Sequence, residues 1–97
     1  MTIDLQARYR KSETFVYRDV AGEAVLVPIR RQAADLDNLY VLNEVGAWIW
    51  ELVDGEKTLA AILAALIGEY EVAPAEAEAD LAEFVAQLEG LGGLERS

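Results

Sequence analysis

The chain has no cysteine and no histidine. Their absence excludes a disulfide framework, thiolate or imidazole metal ligation and cysteine-held iron–sulfur clusters, and it removes the usual base and the strongest nucleophile from any catalytic pair. Proline occurs twice, methionine once and tryptophan twice. Long apolar runs are also missing: no stretch approaches the roughly 18 residues a membrane helix needs, and MTIDLQARYRKSE has no signal-peptide core. The reading is a protein of reducing cytoplasm with no membrane association and no cofactor or metal.

Basic charge is scarce, with 8 Lys and Arg against 18 Asp and Glu, a net charge of −10 over 97 residues. The imbalance is uneven. Arg8, Arg10, Lys11, Arg18, Arg30 and Arg31 leave the first third slightly basic, whereas only Lys57 and Arg96 offset the acids that follow. Apolar residues make up 54% and charged residues 27%, the composition of one small globular domain.

The hydrophobic period changes along the chain. Residues 1–13 read as a polar, flexible arm, and 14–94 as the domain. Thr14–Arg18 and Glu23–Ile29 are strand-like runs joined by turn chemistry at Asp19–Gly22, with Pro28 near the end of the second. Arg30–Asp37 is a polar connection, and Asn38–Leu42 is a third short strand. Asn43 is a good N-cap, after which Val45, Trp48, Ile49, Leu52 and Val53 recur at helical spacing until Asp54–Gly55. Thr58 caps a second helix with the stripe Leu59, Ile62, Leu63, Leu66, Ile67 and Tyr70. Pro74 opens a third, striped by Ala77, Leu81, Phe84, Val85 and Leu88 and broken by Gly90, Gly92 and Gly93. The closing LERS reads as frayed. The expected fold is α+β, a three-stranded antiparallel sheet followed by three helices, in a winged helix-turn-helix-like arrangement. With hairpin neighbours, Asn38–Leu42 falls at a sheet edge.

Function classes narrow quickly. The only serines, Ser12 and Ser97, lie in the tails, so nucleophilic catalysis has no machinery, and the acids Glu76, Glu78, Asp80 and Glu83 read as the solvated side of the third helix. A winged helix would read DNA with that third helix, which carries five acids and no Lys or Arg, so nucleic acid is excluded as a partner. Trp48 and Trp50 stand about 200° apart on a helical wheel; Trp48 is expected in the core and Trp50 at its boundary, packed on the sheet or second helix, the alternative for Trp50 being an exposed anchor for a partner. A free strand edge remains, able to take an extended peptide as a further strand.

Arg18–Leu94 resembles the PqqD family, the coenzyme PQQ synthesis protein D type also described as a precursor-peptide recognition element of ribosomally synthesised, modified peptides. The resemblance is carried by Gly22-Glu23 before a Val/Leu strand, Leu42-Asn43 with Gly46, Ile49-Trp50-Glu51-Leu52-Val53-Asp54-Gly55, Thr58, Tyr70, and Asp80, Phe84 and Leu88 ahead of a glycine-rich end. It implies a non-catalytic peptide chaperone that binds a precursor's leader between the third strand and third helix and presents it to a modifying enzyme, a radical SAM enzyme or a protease. The implied strand wall is Leu39, Tyr40, Val41 and Leu42. The implied helix wall is Asp80, Leu81, Phe84, Gln87 and Leu88, of which Leu81, Phe84 and Leu88 double as core. LNEVGAWIW and the lack of a proline–glutamate step after the second strand depart from PQQ-pathway members, and point to the broader PqqD-like set that serves other peptide pathways. The alternatives are a non-catalytic winged-helix regulator acting through dimerisation and, behind it, a small acidic enzyme. A homodimer through the same free edge is a further expectation.

Overall fold

Val20, Ala21, Gly22 and Glu23 reverse the chain in a two-residue hairpin turn, with φ of 53° at Ala21 and 85° at Gly22. Two successive positive φ values are the turn whose twist suits antiparallel strands. The Asp19 carboxylate accepts the Gly22 N–H and pins it. In this computed structural model, which describes residues 3–29 and 39–97, the turn joins β2 (Phe15–Val20) to β3 (Glu23–Pro28). Ahead of them lies β1 (Tyr9–Lys11), and after them β4 (Tyr40–Leu42). The connection expected over Arg30–Asp37, and Asn38 at the start of the third expected strand, fall outside the described residues.

Three antiparallel strands in the order β2-β3-β4 form the main sheet, with Leu26 opposite both Tyr17 and Tyr40. Strand alternation sorts its faces. Phe15, Ala24, Leu26, Tyr40 and Leu42 turn toward the helices and join the core, while Val41 turns away and is 58% exposed.

Three helices cover the inner face: α1 (Glu44–Leu52), α2 (Leu59–Glu69) and α3 (Pro74–Leu91). Each starts where the sequence signals it. Asn43 Oδ1 accepts the Gly46 N–H at 2.7 Å, Thr58 Oγ1 accepts the Ala61 N–H at 3.2 Å, and Pro74, with no N–H to leave orphaned, takes the first turn of α3. The five α3 stripe residues, Ala77, Leu81, Phe84, Val85 and Leu88, are all buried. Between α1 and α2 the Asp54 side chain holds a turn: Lys57 Nζ donates to its carboxylate, as do the Lys57 and Glu56 backbone N–H groups, which keeps the carboxyl far below the usual range. The α+β, winged helix-turn-helix-like layout expected from the sequence is therefore present.

Two expectations are corrected. Residues 3–13 do not stand off as an arm, and LERS is not frayed: β1 pairs antiparallel with β5 (Leu94–Arg96), bringing Tyr9 opposite Arg96. Ala7 and Tyr9 are buried, and the carbonyls of Leu5, Ala7 and Tyr9 accept from Ala60, Leu59 and Gly55. The domain thus reaches past both limits of 14–94. The second correction concerns α1, whose buried side is rotated by about one position: Gly46, Ile49 and Trp50 are its buried residues, and Trp48 is half-buried against Tyr70 in an edge-to-face pair 5.7 Å apart. Trp50, at 5% exposure, is core because the β1–β5 ribbon lies over it, with Lys11 Nζ 5.7 Å from its ring centre. Among the described residues no helix is long and apolar enough to cross a membrane.

Candidate functional site: a groove between strand β4 and helix α3

Because Asn43 ends β4 and caps α1, the first turn of α1 sits beside the β4 edge. Helix α3 crosses on the other side. The three elements enclose a groove of about 190 Å³ lined by Tyr40, Val41, Leu42, Asn43, Val45, Gly46, Ile49, Asp80, Glu83, Phe84 and Gln87. That is less than the roughly 300–1,000 Å³ of pockets that engulf a small molecule. It is a trough along a strand edge, suited to a chain laid in it.

The edge itself is open. β3 occupies one side of β4, and no strand pairs with the other side among the described residues. Backbone groups on such an edge are a template for one more strand. The trough's surface is mixed, with buried Leu42, Ile49 and Phe84 beside the polar side chains of Asn43, Asp80, Glu83 and Gln87. Gly46 is small for a reason the geometry supplies: a Cβ there would meet Asn43 Oδ1 at 3.2 Å and the Phe84 ring at 3.3 Å, so the bare backbone lets the ring lie against α1.

A polar bridge ties the two walls. The Tyr40 hydroxyl donates to Gln87 Oε1 at 2.5 Å, and Gln87 Nε2 donates to Glu83 Oε1 at 3.4 Å. Burial, and secondarily the Glu83 charge, raise the Tyr40 phenol above its ordinary 10.0. An ionised phenol could no longer donate to Gln87. Tyr9 and Tyr70 are raised as well, so a tyrosine titration followed by near-ultraviolet absorbance should contain a phase above 10.0 whose amplitude falls by one tyrosine in Tyr40→Phe. An unchanged amplitude above 10.0 in Tyr40→Phe would mean that Tyr40 is not buried beside Glu83.

Of the nine residues expected at the site, Tyr40, Val41, Leu42, Asp80, Phe84 and Gln87 line the groove. Leu81 and Leu88 do not, being fully buried beneath it, and Leu39 precedes the strand with its side chain 47% exposed. Glu83, Asn43, Val45, Gly46 and Ile49 line it without having been expected. For all but Glu83 the signal was in the sequence: an N-cap directly after an edge strand puts the next helical residues at that edge. A second recess, wider and more open, lies among Lys11, Phe15, Tyr17, Trp50 and Glu51 beside the free edge of β2. Among the described residues no group of three or more Asp and Glu side chains could hold a metal ion.

Comparison with known proteins places this edge and helix in a family. The family described as Coenzyme PQQ synthesis protein D (PqqD) matches residues 23–93, from the start of β3 to the residue before β5. The chain belongs to the PqqD family. No curated protein matches it. Among solved structures, the chain is similar to one described as "TbiB1 in Complex with the TbiA(beta) Leader Peptide", at 28% identity and a TM-score of 0.71, covering 89% of this chain and 94% of that one. Strands β1, β2 and β5 of this PqqD protein lie outside the residues the family matches.

Proposed function

We propose that this PqqD-family protein is a non-catalytic recognition element that captures the leader of a ribosomally synthesised precursor peptide. The leader adds as a strand along β4, and its helix-facing side chains settle against α3. The observation that carries the reading is the β4 edge, unpaired among the described residues, facing α3 across a trough of mixed apolar and polar lining; similarity to a protein solved with a leader peptide supports it. Main-chain hydrogen bonds along the edge would supply affinity and the trough specificity. Holding the leader while the remaining peptide stays free raises that segment's effective concentration at a modifying enzyme, a radical SAM enzyme or a protease, without any chemistry by this chain. The enzyme and the cytoplasmic setting belong to the same proposal.

The test is an NMR titration of the whole chain with the precursor peptide encoded beside its gene. Shifts should concentrate at Tyr40–Leu42 and at Asp80, Phe84 and Gln87. Saturable binding with shifts only around Lys11, Tyr17 and Trp50 would move the site to the other recess and sink the groove reading. Two copies pairing through β4 would use the same edge, so peptide should dissociate any homodimer.

A further inference from the structure

Asp80 and Glu83 stand one turn apart on the α3 wall, both exposed, and no Lys or Arg lines the groove with them. The three ion pairs among the described residues, Arg10 with Glu95, Lys57 with Asp54 and Arg96 with Asp4, leave both out. The remaining charges of α3 are Glu76, Glu78 and Glu89, all of the same sign. Like charges at this spacing repel one another. Glu83 is also oriented: Gln87, its carbonyl oxygen engaged by Tyr40, can only turn its amide N–H toward the Glu83 carboxylate.

A strand beside β4 alternates its side chains between two faces. Those on the Tyr40 and Leu42 face enter the groove, and those on the Val41 face do not. A side chain entering it stands among buried Leu42, Ile49 and Phe84 and the exposed carboxylates of Asp80 and Glu83. A long apolar stem with a cationic tip satisfies both surfaces and alone neutralises the paired charge. We propose that Asp80 and Glu83 are specificity-determining residues that select a lysine or arginine at one groove-facing position of the captured peptide. The proposal rests on the groove being the peptide site, and adds to it a side-chain requirement that main-chain pairing alone does not impose.

The test selects a displayed library of random 15-residue peptides on the intact protein and on the double variant Asp80→Asn/Glu83→Gln. Glu69→Gln/Glu76→Gln, which removes the same charge outside the groove, serves as control. The wild-type and control pools should share a lysine or arginine at a fixed offset from apolar positions, and the groove-variant pool should keep the apolar positions alone. For a selected peptide, replacing that cation by norleucine should weaken binding to wild type about fivefold, the upper range for an exposed ion pair, and leave binding to the groove variant unchanged. Peptides that bind at Tyr40–Leu42 with no cationic position would overturn the proposal and leave the leader reading standing. A library with no binders at that edge would overturn both.

Discussion

Removing residues 1–11 is expected to unfold the protein. Tyr9 and Ala7 are each 6% exposed and belong to the same apolar core as Trp50, Leu59 and Leu94. Truncation strips β5 of its partner strand, opens one side of Trp50 and leaves the Gly55, Leu59 and Ala60 N–H groups without the carbonyls they use. Losing one buried aromatic to alanine costs about 3–5 kcal/mol, against a total of about 5–15 kcal/mol for a domain. The deletion removes that and more. Thermal melting by circular dichroism should give no cooperative transition for residues 12–97, and Tyr9→Ala should lower Tm by at least about 12 °C at roughly 4–8 °C per kcal/mol. Tyr9→Phe, which loses only the hydroxyl's 3.3 Å bond to Glu89, should melt close to wild type. A truncated chain that melts like the full one would restore the arm.

Why the ribbon escaped the sequence reading is instructive about where local signals end. Ile3, Leu5, Ala7 and Tyr9 alternate with Asp4, Gln6, Arg8 and Arg10, which is a strand period, but a three-residue strand earns little on its own and its partner lies at the opposite end of the chain. Pairing of Tyr9 with Arg96 leaves no trace in either segment alone. The helices could be read because each carries its own cap and stripe: Asn43, Thr58 and Pro74 begin them, and the α3 stripe is buried in full. The tryptophans could not be assigned by periodicity, since what buries Trp50 is that same distant ribbon. At the groove, the edge position of β4 and its opposition to α3 were legible from strand order and family resemblance. Glu83 was hidden among solvated acids of the same helix, whereas the α1 turn follows from the Asn43 cap directly after β4.

Gly46 gives the sharpest separation between groove and scaffold. The first carbon of a leucine there would stand 3.2 Å from Asn43 Oδ1 and 3.3 Å from the Phe84 ring, so the cap or the ring must give by a few tenths of an ångström, and its remaining atoms would crowd residues that line the trough. Gly46→Leu is therefore expected to weaken leader capture at least about tenfold, about 1.4 kcal/mol, and to lower stability by the roughly 1–3 kcal/mol typical of overpacking. Leu81→Ala should do the opposite. Leu81 is fully buried but absent from the groove lining, so its loss should cost about 2–5 kcal/mol of stability while the molecules that remain folded bind with wild-type affinity. Calorimetric titration below the melting range of both variants reads the affinity per folded molecule, and chemical denaturation reads the stability. If Gly46→Leu bound as tightly as wild type, the peptide would have to lie clear of the trough. The β4 edge could then contribute only its main chain, and neither Phe84 nor the Asp80 and Glu83 carboxylates could select what is captured.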